Sequence, residues 1–92
     1  MKMNPQDFVP ARRHSHLTTG DVIRILRQKK GWTQEELARR SGLHANNISL
    51  LEKNRVDIGK RRALLLAGAF GVHPAIIMFP EYEAKEIAKV AT

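Results

Sequence analysis

The chain has 92 residues, 42% of them hydrophobic, which is enough for one small domain with a single core. Lys and Arg number 16 against 9 Asp and Glu, and the resulting net charge of +7 favours polyanionic partners such as nucleic acid. The absence of Cys excludes disulfides and thiolate metal sites. We find no signal peptide and no apolar run of about 20 residues, so we expect a cytoplasmic protein without a membrane span.

The first residues of the chain predict an arm rather than a packed element. Residues 1–17 contain two prolines, no apolar periodicity and the basic stretch ARRHSH, so we expect a flexible N-terminal arm. This stretch could contact DNA or form a disordered or packed extension. His14 and His16 could bind a metal, but with no Cys and no second cluster we expect a solvated tract and neither metal nor cofactor.

Helical spacing and capping residues begin after the arm. A first helix is expected from a cap at Thr18 or Thr19 to Gly31, where a left-handed C-terminal cap fits. Its apolar face would hold Val22, Ile23, Ile25 and Leu26. Thr33 followed by Glu36 has the spacing of a capping box, which predicts a second helix from Gln34 to about Arg40.

Three further helical segments follow a Gly at position 42. A third helix is expected from about Ala45 to Lys53, burying Ile48 and Leu51. A fourth is expected over Lys60–Phe70, and a fifth begins at Pro74, because Pro suits the first helical position. The apolar residues expected to pack are Ala63, Leu66, Ala67 and Phe70 in the fourth helix, and Ile76, Ile77, Met78 and Phe79 in the fifth.

The sequence predicts an all-α chain, since no β-type alternation or internal repeat is present. We expect an arm over residues 1–17, a five-helix domain over 18–80 and a C-terminal helical extension over 81–92. The extension has a narrow stripe of small and apolar residues and a Glu-Lys pair at helical spacing, which is typical of a sixth helix.

The segment WTQEELARRSGLHANNISLLEKNR places two short helices around a tight turn that contains Gly42. Such a pair forms either an ordinary helical hairpin in a core or a helix-turn-helix, in which one helix crosses the phosphate backbone and the next enters the major groove. Residues 20–79 resemble the phage-repressor, or Cro/CI-type (XRE), helix-turn-helix family. The resemblance lies in the basic first helix, Thr-Gln opening the second, Ala then Gly towards the turn, and Ile-Ser with a late Glu in the third.

The resemblance implies a phage-repressor-like DNA-binding domain with a base-reading face on its third helix. By position, the base-reading residues would be His44, Ala45, Asn46 and Leu50, with Asn47 beside them. These residue types suit the task, because Asn can bond adenine at two points, apolar groups can touch a thymine methyl and His can donate to guanine. Alternatives remain: His44 could cap the helix, Asn47 could be solvated and Leu50 could pack in the core.

The resemblance also implies contacts to the DNA backbone and one structural ion pair. Gln34 resembles the phosphate-contacting Gln of the family, at the positive end of its helix. The other phosphate candidates are Lys29, Lys53, Asn54, Arg55, Lys60 and Arg61. Arg27 and Glu52 occupy the positions of a family ion pair, which we interpret as setting the angle between two helices.

These observations predict a sequence-specific regulator of transcription that binds double-stranded DNA as a homodimeric repressor on a palindromic operator. One recognition helix reads few base pairs, and two helices about 34 Å apart double the specific contacts. The candidate dimer residues are Ile76, Ile77, Phe79, Tyr82 and Ile87. The alternative for the same residues is closure of the core within one chain.

The sequence also allows other roles. The leading alternative is a HigA-like antitoxin that neutralises a RelE/HigB-like toxin through residues 1–17 or 81–92 and represses its own operon. Binding of single-stranded RNA is disfavoured because the chain has few aromatic residues, most of them at expected core positions. Catalysis is disfavoured because no nucleophile with a base, paired carboxylates or Gly-rich phosphate loop is present.

Overall fold

The computed structural model describes residues 17–80, which form five α-helices. They are α1 (Thr19–Lys30), α2 (Gln34–Ser41), α3 (Ala45–Glu52), α4 (Gly59–Phe70) and α5 (Pro74–Met78). The all-α prediction is confirmed for these residues, and none of the helices is long and apolar enough to cross a membrane. The predicted extension over 81–92 and, apart from Leu17, the predicted arm over 1–17 lie outside the described residues.

Helix α1 begins with a complete capping box that selects Thr18 over Thr19 as the cap. The Thr18 hydroxyl accepts a hydrogen bond from the backbone N–H of Asp21, and the Asp21 carboxylate accepts one from the N–H of Thr18. Thr19 instead donates its hydroxyl hydrogen to the carbonyl oxygen of Ile77 at 2.9 Å. The start of α1 is thereby joined to α5.

Helix α2 has only half of the capping box that its sequence predicts. The backbone N–H of Glu36 donates to the Thr33 hydroxyl at 3.0 Å, but the Glu36 carboxylate pairs with Arg39 and Arg40 in the following turn. Guanidinium groups offer charge-assisted hydrogen bonds, which are stronger than a bond from a backbone N–H. At its other end the helix stops at Gly42 with φ 83°, the left-handed conformation expected there.

All five helices contribute side chains to the core. Its fully buried large side chains are Ile23, Leu37, Ile48, Leu51, Leu66 and Ile77. The buried face predicted for α4 is confirmed, whereas Ile25 is 41% exposed and lies off the buried face of α1. In α5 the prediction was wrong for Phe79, which is 47% exposed and lies just beyond the last helical residue, Met78.

Trp32 joins the loop between α1 and α2 to the end of α4. Its ring stacks on Phe70 with the centroids 6.0 Å apart and the planes 12° from parallel. The Arg40 guanidinium lies 4.5 Å from the centroid of the indole and the Lys30 ammonium 5.7 Å from it, within cation–π range. Because Trp32 lies just before the first residue of α2, this stack holds the start of α2 against α4.

Candidate nucleic-acid interface

Helix α3 presents one exposed and one buried face. Asn46 and Leu50 are exposed at the i, i+4 spacing of a single helix stripe, and Lys53, which is also exposed, follows the last helical residue. Ile48 and Leu51 on the other side are buried in the core, so the exposed stripe is held at a fixed orientation. Leu50 is 38% exposed, which argues against its alternative assignment as a core residue.

The start of α3 is also accessible. His44 occupies the N-cap position and is exposed, but its side chain makes no capping hydrogen bond, so the alternative that it caps the helix is not supported by the structure. Ala45 and Asn47 are half-buried beside it. Four of the five predicted base-reading residues therefore lie at the start of α3 and Leu50 lies one turn further on, with His44, Asn46 and Leu50 the most exposed.

A buried ion pair between Arg27 and Glu52 joins α1 to α3, and Gln34 of α2 donates a hydrogen bond to it. Arg27 donates to Glu52 through Nε at 2.7 Å and through Nη2 at 3.0 Å, with side chains that are 14% and 5% exposed. Gln34 donates through Nε2 to the same carboxylate at 3.1 Å. The hydrogen bond to Glu52 raises the pKa of Arg27, so this guanidinium stays charged.

Arg27 also reaches the loop before α2. Its Nη1 donates to the carbonyl oxygen of Trp32 at 2.9 Å. One guanidinium thus binds a residue of α3 and the loop that precedes α2 at the same time. The relative positions of α1, α2 and α3 depend on this group, which agrees with the structural role expected for the pair.

The predicted phosphate-contacting Lys and Arg residues are exposed at three segments of the chain. They are Lys29 near the end of α1, Lys53 and Arg55 after α3, and Lys60 and Arg61 at the start of α4. None of them forms an ion pair with another residue in 17–80, whereas Asp21, Glu36 and Glu52 are paired with other Arg residues. These five cations are therefore available to a polyanion, as are Lys30, which lies over the ring of Trp32, and Arg62, which donates to the carbonyl oxygen of Asp57.

Asn54 does not fit its assignment to phosphate. Its Oδ1 accepts a hydrogen bond from the backbone N–H of Gly20 at 3.0 Å, and its Nδ2 donates to the Thr18 hydroxyl at 2.9 Å. Its φ of 58° is the left-handed conformation that Asn tolerates better than most residues. The side chain is engaged in joining the end of α3 to the start of α1, so we remove it from the phosphate candidates.

Two features of this region were missed by the sequence reasoning. Arg39 lines an open groove together with Ala38, Gly42, Leu43, His44 and Ala45, which places a guanidinium beside the start of α3. The signal available was a basic residue in the last turn of α2, three residues before the turn Gly. Ser41, which is buried, accepts a hydrogen bond from the N–H of Leu43 and stabilises the turn itself.

The candidate dimer residues differ in how far they are buried. Ile77 is fully buried in the core, so its assignment to an intermolecular surface is wrong and the alternative of core closure holds for it. Ile76 is half-buried and Phe79 is exposed, so both remain candidates. Tyr82 and Ile87 lie outside the described residues, as do His14 and His16. Within 17–80 no cluster of His, Asp and Glu could hold a metal ion.

Comparison with known proteins agrees with this geometry. A family model described as helix-turn-helix matches residues 23–77, which contain α2, the turn and α3. This chain belongs to the XRE-type helix-turn-helix family. The membership confirms the resemblance found in the sequence, and the family is one of DNA-binding regulators rather than enzymes.

Two matches to individual proteins extend the comparison. The chain is 38% identical over 61 residues to a protein of Neisseria meningitidis serogroup B described as a hypothetical transcription factor. That alignment covers 66% of this chain and 58% of the relative, so the chain spans little more than half of the relative's length. The crystal structure of the hypothetical transcription factor NHTF from Neisseria superposes with a TM-score of 0.64 at 32% identity, covering 86% of this chain and 84% of that one.

Proposed function

We propose that this helix-turn-helix protein binds double-stranded DNA in a sequence-specific manner and regulates transcription. The observation that carries the proposal is the exposed stripe of Asn46 and Leu50 on α3, with the exposed Lys53 directly after the helix. The opposite face of α3 is buried, and its end is fixed by Glu52. A helix held in this way can enter the major groove without first becoming ordered, which lowers the cost of binding.

The two kinds of contact have separate roles in this proposal. Asn46 bonds an adenine at two points and Leu50 packs on a thymine methyl, and a good bidentate contact contributes about 1 to 3 kcal/mol of discrimination. The exposed Lys and Arg residues at the ends of α1 and α3 and the start of α4 bind phosphates, which adds affinity without sequence information. Gln34 adds a neutral contact at the start of α2.

We further propose that the protein acts as a homodimeric repressor on a palindromic operator. A single α3 reads only a few base pairs, so a useful specificity requires two copies on half-sites one DNA turn apart. Phe79, which is exposed, and Ile76, which is half-buried, supply apolar area on or next to α5 for the contact between copies. The antitoxin alternative depends on residues 1–17 or 81–92, which, apart from Leu17, lie outside the described residues.

The test is a genomic-library DNA pull-down followed by footprinting, with the wild-type protein and the variants Asn46→Ala and Lys53→Ala. The proposal predicts a discrete palindromic site with half-sites about 10 base pairs apart. Asn46→Ala should remove the preference for this site, whereas Lys53→Ala should weaken binding to all duplexes alike. Equal binding to all duplexes by wild-type and Asn46→Ala proteins would contradict sequence-specific recognition by α3.

A further inference from the structure

The side chain of Gln34 is held in place before any DNA is bound. Gln34 is the first residue of α2, and its Nε2 lies 3.1 Å from Oε1 of Glu52 in the buried ion pair. Gln34 itself is half-buried. A Gln side chain has three rotatable bonds and is ordinarily mobile at a helix start, so this hydrogen bond selects one of its rotamers.

The hydrogen bond to Glu52 leaves part of the amide available. The NH2 group of Gln has two hydrogens, of which the single bond to Glu52 uses one, and its carbonyl oxygen is a separate acceptor. The second hydrogen can be donated to a phosphate oxygen, next to the backbone N–H groups that point out of the start of α2. When one amide hydrogen of Gln34 is bonded to Glu52, the direction of the second amide hydrogen is also fixed.

The charge on Glu52 does not oppose this arrangement. A carboxylate close to DNA would ordinarily repel phosphate, but here Arg27 binds both oxygens of Glu52, and the carboxylate is buried. The ion pair has a net charge close to zero, while the hydrogen bond that Glu52 accepts from Gln34 is charge-assisted. Glu52 can therefore orient the Gln34 amide strongly while it repels phosphate only weakly.

We propose that Glu52 is a positioning residue for DNA binding, which orients the Gln34 amide toward a backbone phosphate while Arg27 neutralises its charge. This inference rests on the proposed function, because it concerns how the same surface holds the phosphate backbone. It goes beyond the structural role of the ion pair, since it links the pair to affinity for DNA through one named hydrogen bond. A purely structural pair would change folding stability and leave the contribution of Gln34 unaltered.

The experiment is a mutant cycle measured by fluorescence anisotropy on a labelled duplex of about 20 base pairs. Any fixed sequence serves as the probe, because phosphate contacts carry no sequence information. The four proteins are wild type, Gln34→Ala, the double variant Arg27→Met/Glu52→Met, and the triple variant that adds Gln34→Ala. Replacing both ion-pair partners avoids leaving one charge buried and unpaired, a replacement that proteins often tolerate.

The two backgrounds should respond differently to Gln34→Ala. In the wild-type background we expect about a tenfold loss of affinity, as for a charge-assisted hydrogen bond to phosphate. In the Met/Met background we expect less than about a twofold loss, because the amide is no longer oriented. Circular dichroism and the fluorescence of Trp32, the one Trp of the chain, report whether each variant is folded.

The outcomes separate this inference from the proposed function. If the wild-type protein binds no duplex at any salt concentration, the proposed function fails. If it binds and Gln34→Ala costs the same in both backgrounds, or costs nothing in the wild type, the positioning role is overturned and the proposed function stands.

A second measurement covers the case in which the Met/Met variant does not fold. Glu52→Asp keeps the charge that balances Arg27 and draws the carboxylate back by one methylene, away from Gln34, and the Gln34 side-chain amide can be followed by NMR without DNA. Positioning predicts two well-separated NH2 resonances in the wild-type protein that move toward ordinary Gln values in Glu52→Asp. Unchanged resonances would overturn the inference.

Discussion

Gly20 of α1 lies directly against the backbone of Leu51 at the end of α3. A Cβ at position 20 would come within 2.6 Å of the Leu51 carbonyl oxygen and 2.5 Å of the Glu52 carbonyl oxygen. Carbonyl groups of a helix cannot rotate away as a flexible side chain does. The approach of α1 to the helix that carries the base-reading residues therefore requires a residue without a side chain.

Gly20→Ala is expected to destabilise the protein by about 1 to 3 kcal/mol, as overpacking does in other cores. The gain in helix propensity from Gly to Ala, about 0.5 to 1 kcal/mol, offsets only part of this. The measurement is urea denaturation followed by circular dichroism. Gly68→Ala is the matched control, because a Cβ there meets nothing within 4 Å, and it should stabilise α4. Equal effects of the two substitutions would contradict the close approach.

Asn54 should be sensitive to substitution through its hydrogen bonds rather than through DNA. Asn54→Gly keeps the positive φ but removes the bonds to Gly20 and Thr18, so a loss of about 1 to 3 kcal/mol is expected from two net hydrogen bonds. Asn54→Ala should cost more, since it adds the strain of φ 58°. Thermal melts would measure both. A stable Asn54→Gly protein with weakened phosphate binding would restore the assignment to phosphate.

The Arg27–Glu52 pair should show non-additive stability. Removing either partner leaves a buried charge unpaired and is expected to cost about 3 to 5 kcal/mol. Replacing both by Met should cost much less than the sum of the single effects, because no charge is then stranded. Chemical denaturation of the two single variants and the double variant gives the coupling energy. The surface pair Arg24–Asp21 provides the comparison, and its coupling should lie below about 1 kcal/mol.

Acidification should weaken the start of α1 through Asp21. The pKa of Asp21 lies below its ordinary value of 3.8, mainly because its carboxylate accepts the backbone N–H of Thr18 and also because it pairs with Arg24. A lowered pKa stabilises the fold above pH 3.8 and loses this contribution as the pH falls through the folded-state pKa. Stability curves between pH 5 and pH 2 should therefore fall less steeply for Asp21→Asn than for the wild type. Parallel curves would exclude the carboxylate as the cause.

The exposed cations should be visible in the salt dependence of DNA binding. Each Lys or Arg bound to a phosphate contributes about 0.9 to the slope of log K against log salt. Lys53→Ala and Lys60→Ala should each reduce the slope by about that amount without changing the preferred sequence. Arg40→Ala is the control, because its guanidinium is engaged by Glu36 and by the ring of Trp32, and the slope should stay the same. An equal change for all three would mean that only net charge matters.

Much of the helix-turn-helix could be predicted from the sequence because its signals are local. The cap at Thr33, the positive φ at Gly42 and the apolar spacing of Ile48 and Leu51 each act within one or two helical turns. The exposed positions of Asn46 and Leu50 follow from the same helical period. The net positive charge, which indicated nucleic acid, does not depend on the fold at all.

Tertiary structure decided the points that local spacing does not determine. The contact of Gly20 with α3, the engagement of Asn54 by α1 and the hydrogen bond from Gln34 to Glu52 join residues far apart in the chain. Ile77 and Phe79 are both apolar and two residues apart, yet one is in the core and the other is exposed. Which apolar residues are buried, and whether a polar side chain bonds to protein or faces a ligand, depends on how the helices pack. Packing is set by contacts across the whole domain rather than by neighbours in sequence.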